Sequence, residues 1–145
     1  MPSERELVKG YQELLDSFQW DVFVTITFRK RATTAWAIHA VKCFLKHLNS
    51  REVQFFKKFV RCFVFSEKYG QREGIHLHLL IQGIDPSMAG ALERKCLNIF
   101  GESAVKPYDH SLPRLASFYL AEKCISPLLD HWDFFKINSR LRVAI

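Results

Sequence analysis

The chain has 145 residues, of which 48% are hydrophobic and 25% are charged. This length and composition exclude a disordered chain and predict one folded domain spanning residues 1–145. The net charge of +6 favours an anionic partner without identifying it. The N-terminus has no apolar signal core and no apolar run approaches the length of a membrane span, so we expect a cytoplasmic protein with no membrane partner.

The first third of the chain predicts a helix, a strand and a second helix. Residues 3–17 have apolar side chains at helical spacing, which predicts an amphipathic helix. The stretch "WDVFVTITF" (20–28) is rich in β-branched and aromatic residues and predicts a strand, with Thr25 and Thr27 on one face. A second helix is predicted over 33–49, whereas the charged piece "REVQFFKKF" that follows is assigned to no type.

The rest of the chain predicts a hairpin followed by two helices and an edge strand. Strands over 60–67 and 75–82 are joined by the polar loop "KYGQREG". Asp85, as N-cap, and the proline after it begin a helix that reaches about Phe100. "GESAVKPYDHS" is interpreted as a loop with room for a short strand. A helix begins near Pro113, and "WDFFKINSRLRVAI" is expected to add an edge strand.

The order of these elements predicts the fold class. A β-α-β-β-α order with further elements after it indicates an α+β fold, in which helices pack mainly on one face of an antiparallel sheet. We therefore expect a ferredoxin-like (RRM-like) architecture.

Two histidines alternate with apolar residues in "GIHLHLLIQG", so His76 and His78 are expected on one face of a strand. If the hairpin pairs symmetrically about its loop, Glu67 lies opposite His76 and Phe65 lies opposite His78. Two imidazoles and a carboxylate suit Mg²⁺, Mn²⁺ or a similar divalent ion with positions left for substrate oxygens. The alternative is that both histidines are ordinary sheet residues, since this spacing arises easily by chance.

A tyrosine in "SFYLAEKC" is the candidate nucleophile. Tyr119 and Lys123 are four residues apart and share one face of the predicted helix. A phenol, with a pKa of about 10, can attack a phosphodiester that is polarised by a nearby metal, and Lys123 would help to hold the developing negative charge. The alternative is a half-buried aromatic residue beside a lysine whose stem packs on it.

These residues resemble the motifs of the HUH-endonuclease replication initiators (Rep proteins) of rolling-circle type. "HLH" is similar to the HUH motif, "HLHLLIQ" to its HxHxxxQ form and "FVTITF" to the first Rep motif. Glu67 occupies the place of the third metal ligand in several Reps. "PYDHSLPRLASFYLAEK" resembles the tyrosine motif of small bacterial plasmid and phage initiators. The likeness covers about residues 20–136, with four motifs in the family's order.

The resemblance implies an enzyme that nicks and joins single-stranded DNA at an origin hairpin. It would form a 5′-phosphotyrosine through Tyr119, leave a free 3′-OH and initiate rolling-circle replication. Many relatives have a lysine three residues after the tyrosine or a second tyrosine four after it, whereas Glu122 and Lys123 stand there in this chain. This departure favours a one-tyrosine enzyme. With no helicase domain in the 145 residues, a host helicase and polymerase are the expected partners.

Two basic segments are the candidate DNA contacts. "FRKR" contributes Arg29, Lys30 and Arg31, and "EKYGQR" contributes Lys68 and Arg72. Each combines basic side chains with an aromatic ring, the mixture that holds phosphates and stacks on unpaired bases. Two alternatives for the whole chain remain open. One is a single-tyrosine HUH transposase, and the other is a non-catalytic nucleic-acid-binding module on the same fold.

Overall fold

The computed structural model describes residues 3–28, 33–51, 56–68, 75–108 and 129–138. Its elements, in chain order, are α1 (Glu4–Asp16), β1 (Val22–Phe28), α2 (Thr34–Arg51), β2 (Phe56–Lys68), β3 (Ile75–Ile84), a 3-10 turn (Pro86–Met88), α3 (Ala89–Ile99), β4 (Gly101–Pro107) and β5 (Leu129–Asn138). The predicted helix from Pro113 lies outside the described residues. Within the described ranges no helix combines the length and apolarity needed to cross a bilayer.

The five strands form one antiparallel sheet in the order β4-β1-β3-β2-β5. Strand β3 lies between β1 and β2, so the first four strands have the 4-1-3-2 order of two interleaved β-α-β units. The expected α+β, ferredoxin-like architecture is confirmed, and β5 extends it at the free edge of β2 as predicted.

Two segments that the sequence left partly open contribute strands. Strand β2 already begins at Phe56, so the unassigned piece "REVQFFKKF" contributes to the sheet. The segment interpreted as a loop with room for a short strand contains β4, whose residues 101–107 pair with β1 along its whole length. Its sequence, GESAVKP, contains a single β-branched residue, so strand propensity gave little signal there. Main-chain pairing to β1 stabilises this strand instead.

Helices α2 and α3 cover one face of the sheet, here called the helix face. Alternate residues of β1, β2 and β3 point into this layer, and the central strand residues are almost completely buried. The main buried contributors are Val24, Ile26, Cys62, Val64, Leu77, Leu79, Val41, Leu45, Leu92 and Cys96. Each buried aliphatic side chain contributes about 1.5–3 kcal/mol, so this layer supplies most of the stability of the described part.

Helix α1 packs on the opposite face, here called the histidine face. Leu15 and Tyr11 of α1 join Trp20, Phe63 and Leu80 in a second apolar cluster. Ser3 caps the helix, its hydroxyl accepting the Glu6 N–H at 3.2 Å. Two of the three described helices therefore lie on one face, as expected, while the third covers part of the face that carries the two histidines.

Asp21 fastens the start of β1 to the end of β3. Its carboxylate accepts the N–H of Gly83 at 2.6 Å and that of Ile84 at 3.2 Å, and its main-chain carbonyl accepts the N–H of Tyr108 at 2.9 Å. Gly83 has φ 106°, a conformation that other residues rarely adopt. Asp21 thus anchors three strand ends that sequence reasoning had not connected.

We expect Asp21→Ala to lower the free energy of unfolding by about 3 kcal/mol, because two N–H groups lose a charged acceptor. The measurement is the urea midpoint, compared with that of Glu102→Ala. Glu102 is an exposed carboxylate of β4, so its loss should change stability by no more than about 0.5 kcal/mol. Equal midpoints for the two variants would contradict the anchoring role.

Candidate functional site

His76 and His78 lie on adjacent positions of one face of β3, the histidine face. His78 pairs with Thr25 of β1 and with Phe65 of β2, and His76 pairs with Thr27 and Glu67 in the same way. The predicted hairpin register is therefore confirmed, since Glu67 is opposite His76 and Phe65 is opposite His78. Both histidines are on β3, the middle strand of the five, where the neighbouring strands β1 and β2 restrict their positions.

The ring of His78 is held between aromatic side chains. It stacks on Phe65 at 4.9 Å between ring centroids with planes 29° apart, and on Phe23 at 6.0 Å with planes 28° apart. Only 7% of His78 is exposed. Stacking on two sides fixes the plane of the imidazole, which favours a single orientation over a mobile surface ring.

Thr25 contacts one nitrogen of His78. The Thr25 hydroxyl lies 3.3 Å from Nδ1, while Nε2 is inaccessible to solvent. If the hydroxyl accepts the Nδ1 proton, the neutral ring carries its lone pair on Nε2, the form in which an imidazole binds a metal. Thr25 was not among the predicted site residues, although the alternation in "VFVTITF" already placed it on one face with Thr27.

The two imidazoles are close enough to share one ion. Their centroids are 4.7 Å apart and their planes differ by 80°. Two imidazoles this close would both be able to bind one divalent ion, since neutral imidazole nitrogen is a common metal ligand. The spacing of the two rings is therefore compatible with the predicted metal site.

The third predicted ligand is described only in its main chain. Glu67 is the Cα partner of His76 at the end of β2. Among the side chains that the structure describes, no group of three His, Cys, Asp or Glu residues is arranged to hold a metal. That His76, His78 and Glu67 together bind a metal therefore stays a prediction. The main-chain pairing of Glu67 with His76 that it requires is present.

The other predicted site residues have less structural description. Tyr119, Lys123, Arg29, Lys30, Arg31 and Arg72 lie outside the described residues, and Lys68 is described as the main-chain partner of Ile75. Strand β1 ends at Phe28, β2 ends at Lys68 and β3 begins at Ile75. All three positions are at the end of the sheet where His76 lies, so both basic segments continue from the strands that carry the candidate site.

Comparisons with known proteins add little to this geometry. No protein-family model matches the chain, and no curated protein matches its sequence. Among solved structures, the chain is similar to the N-terminal nuclease domain of non-structural protein 1 of minute virus of mice. The two share 14% sequence identity with a TM-score of 0.33, over 86% of this chain and 71% of that one. That domain coordinates Zn²⁺ in its active-site pocket and recognises DNA at the origin of replication. At this TM-score the likeness carries no argument, and the case for a function rests on the residues.

Proposed function

We propose that this protein is a metal-dependent HUH-type endonuclease that nicks and joins single-stranded DNA at a replication origin and so initiates rolling-circle replication. The observation that supports this most is the pair of imidazoles 4.7 Å apart on the central strand of a ferredoxin-like sheet, with Glu67 in register with His76. An origin hairpin is the substrate, and a host helicase and polymerase continue the replication that the nick begins.

His76, His78 and Glu67 would hold a divalent ion, Mg²⁺ or Mn²⁺. When bound, such an ion neutralises charge on the non-bridging oxygens of the phosphate that is attacked. The protein contributes the orientation of its ligands: Phe65 and Phe23 fix the plane of His78, and Thr25 contacts its Nδ1. These neighbours hold the His78 ring rigidly, so less conformational entropy is lost when an ion binds to it.

Tyr119 is the proposed nucleophile. Its phenolic oxygen forms a bond to phosphorus while the bond from phosphorus to the 3′ oxygen of the preceding nucleotide breaks. The phenol loses its proton and the 3′ oxygen leaves as a hydroxyl, so a 5′-phosphotyrosine and a free 3′-OH result. One phosphate ester replaces another, and a 3′-OH can therefore reverse the step and join strands without a nucleotide cofactor. Lys123 would stabilise negative charge on the phosphate.

Binding of single-stranded DNA would use Arg29, Lys30, Arg31, Lys68 and Arg72. Basic side chains that displace counterions make affinity fall with salt, by a slope of about −0.7 per phosphate contact on single strands. The combined Arg29→Ala and Arg72→Ala variant is therefore expected to bind more weakly with a shallower slope, at an unchanged cleavage position. Unchanged affinity would place the DNA path elsewhere.

The test of the proposed activity is incubation of the protein with pooled single-stranded oligonucleotides and Mn²⁺. DNA that becomes covalently attached is recovered after denaturation and sequenced, which also reveals the nick site. Parallel reactions contain EDTA or the His76→Ala variant, and neither should yield attached DNA. If the wild-type protein yields no more adduct than these two controls for any oligonucleotide, the proposed activity is wrong. Strand transfer between two element ends would instead favour the transposase alternative.

The burial of His78 gives specific support to one other candidate, a non-catalytic nucleic-acid-binding module. A histidine that is 7% exposed and stacked on two phenylalanines is also what a purely structural sheet residue would look like. Metal binding separates the two functions. Mn²⁺ should raise the melting temperature of the nuclease, while the module should show no response to the ion.

Thr25→Val tests the orientation of His78. Removing the hydroxyl takes away the partner of Nδ1, and we expect the Kd for Mn²⁺ to rise about tenfold, as for other groups that orient metal ligands. Calorimetric titration measures this effect. Ser103→Ala is the matched control, because it removes a half-buried hydroxyl from β4 that donates to the nearby Gly101 carbonyl at 2.9 Å. Equal Kd values for the two variants would contradict a role for Thr25.

A further inference from the structure

Charge is distributed unequally over the helices on the two faces of the sheet. Helices α2 and α3, on the helix face, carry five basic residues and one acidic residue, Glu93. The Glu93 carboxylate accepts the Val105 N–H at 2.9 Å, so its charge is directed towards β4. Helix α1, on the histidine face, carries four acidic and two basic residues. The outer surface of the α2–α3 layer is therefore the positive side of the described helices.

An exposed tryptophan stands at the beginning of α2. Trp36 is 55% exposed, and its main-chain N–H is capped by the Thr33 hydroxyl at 3.2 Å. One edge of its ring meets Phe28 at 5.7 Å between centroids, and Phe28 in turn meets Phe100 at 5.8 Å. Phe100 is buried and packs edge-on against Phe44 at 5.3 Å. A chain of aromatic contacts thus holds Trp36 in place and leaves more than half of it facing solvent.

The surroundings of Trp36 have the charge expected for a nucleic-acid contact. In the sequence, "RKR" (29–31) is separated from the start of α2 by two residues. Along the outward side of α2, the exposed residues are His39, Cys43, Lys46 and His47, and the helix contains no Asp or Glu. Lys46 lies about 15 Å further along the helix axis than Trp36. An aromatic ring with a lysine further along the same side of a helix that has no acidic residue is suited to a single strand, through base stacking and a phosphate contact.

The position of Trp36 also relates it to the candidate nuclease site. Phe28, which supports Trp36, is the last residue of β1, and the residue before it, Thr27, pairs with His76. Trp36 and His76 therefore lie at the same end of the sheet on opposite faces. A strand of DNA that crosses this end can contact both.

We propose that the outward side of α2 is a second contact surface for single-stranded DNA, on which a base stacks on Trp36 and Lys46 contacts a phosphate. The choice of a single strand follows from the ring, because stacking on Trp36 requires a base that is not already stacked in a duplex. Only the choice of DNA over RNA rests on the proposed nuclease function. The surface lengthens the path of the substrate strand from the histidine face around the end of the sheet to the helix face.

The test measures binding of a fluorescently labelled single-stranded oligonucleotide by anisotropy, with EDTA present so that no cleavage occurs. We expect Trp36→Ala to raise Kd about tenfold, the loss of one stacked base, and Trp36→Phe to raise it less because a ring remains. Leu14→Ala is the matched control, since Leu14 is a 42% exposed apolar residue on the acidic helix α1. Its Kd should equal that of the wild type.

A charge substitution and a spectroscopic signal provide independent readouts. Lys46→Ala should make the salt dependence shallower by about 0.7, whereas Lys9→Ala, the same change on α1, should leave it unaltered. Quenching of tryptophan emission by DNA should largely disappear in Trp36→Phe, which keeps the fold because the aromatic contact to Phe28 is preserved. Wild-type affinity in Trp36→Ala would overturn the proposal, and so would wild-type quenching in Trp36→Phe.

The outcomes separate this surface from the nuclease. If the wild type forms the covalent adduct and Trp36→Ala binds DNA as tightly as the wild type, the contact surface on α2 is rejected and the nuclease function is retained. Weaker binding by Trp36→Ala in a protein that forms no adduct would support the surface and reject the nuclease. Equal loss of affinity in Trp36→Ala and Leu14→Ala would reject the surface, because the effect would not be confined to α2.

Discussion

Tyr119→Phe is expected to eliminate the covalent protein–DNA adduct while DNA binding and metal binding stay at their wild-type levels. Only the hydroxyl is lost, and that hydroxyl is the proposed attacking group. Mass spectrometry of the wild-type adduct should place the DNA on the peptide "LASFYLAEK". The expected reduction is at least a thousandfold, because the proposed attacking group itself is removed.

The structure makes two of the other three tyrosines poor candidates. Tyr11 packs against the apolar cluster under α1. Tyr108 is buried in the same cluster, and burial, with a smaller effect of the Asp16 charge, raises its pKa above that of an ordinary tyrosine. A raised pKa leaves less of the Tyr108 phenol ionised near neutral pH, and its burial keeps it away from a substrate strand. Tyr108→Phe is therefore a suitable control and should keep full adduct formation.

Tyr69, in the hairpin segment after Glu67, is the remaining competitor for Tyr119. DNA found on Tyr69 by mass spectrometry, or full adduct formation by Tyr119→Phe, would overturn the assignment. Lys123→Ala should slow adduct formation without abolishing it, because the metal is proposed to supply most of the charge stabilisation. An unchanged rate in Lys123→Ala would show that the lysine does not approach the phosphate.

His76→Ala is expected to abolish cleavage and to leave the fold intact. His76 is only partly buried, so truncation should change the free energy of unfolding by less than about 1 kcal/mol. Saturating Mn²⁺ should raise the melting temperature of the wild type by about 5 °C and that of His76→Ala by far less. Wild-type cleavage by His76→Ala, or an equal thermal response of both proteins to Mn²⁺, would remove His76 from the ligand set.

The same substitution at His78 is expected to have a second effect. Truncating a buried ring that stacks on Phe65 and Phe23 leaves a cavity, which costs about 2–4 kcal/mol of stability. His78→Ala should therefore lose both cleavage and stability, and His76→Ala is the cleaner test of metal binding. Glu67→Ala should weaken the affinity for metal less completely, since two imidazoles remain. Unchanged metal dependence in Glu67→Ala would exclude it as a ligand.

Local sequence determined most of the described helices and strands and the central hairpin. Symmetric pairing of "VRCFVFSE" and "IHLHLLIQ" about their loop predicts Glu67 opposite His76, and the structure has this register. The start of the 3-10 turn and α3 was equally local, because the Asp85 side chain accepts the Ser87 N–H at 2.9 Å and proline occupies the first turn. These features depend on residues close in the chain or joined by a short loop.

Tertiary structure decided the remainder, because it depends on residues far apart in the sequence. Strand β4 exists through its pairing with β1 and not through its own propensity, and α1 was free in sequence terms to pack on either face. The stacking of His78 between Phe65 and Phe23 requires β3 to lie between β1 and β2, an order that no single segment encodes. The sequence by itself therefore determined that the two histidines share one face of a strand, whereas the long-range strand order determined how firmly His78 is held there.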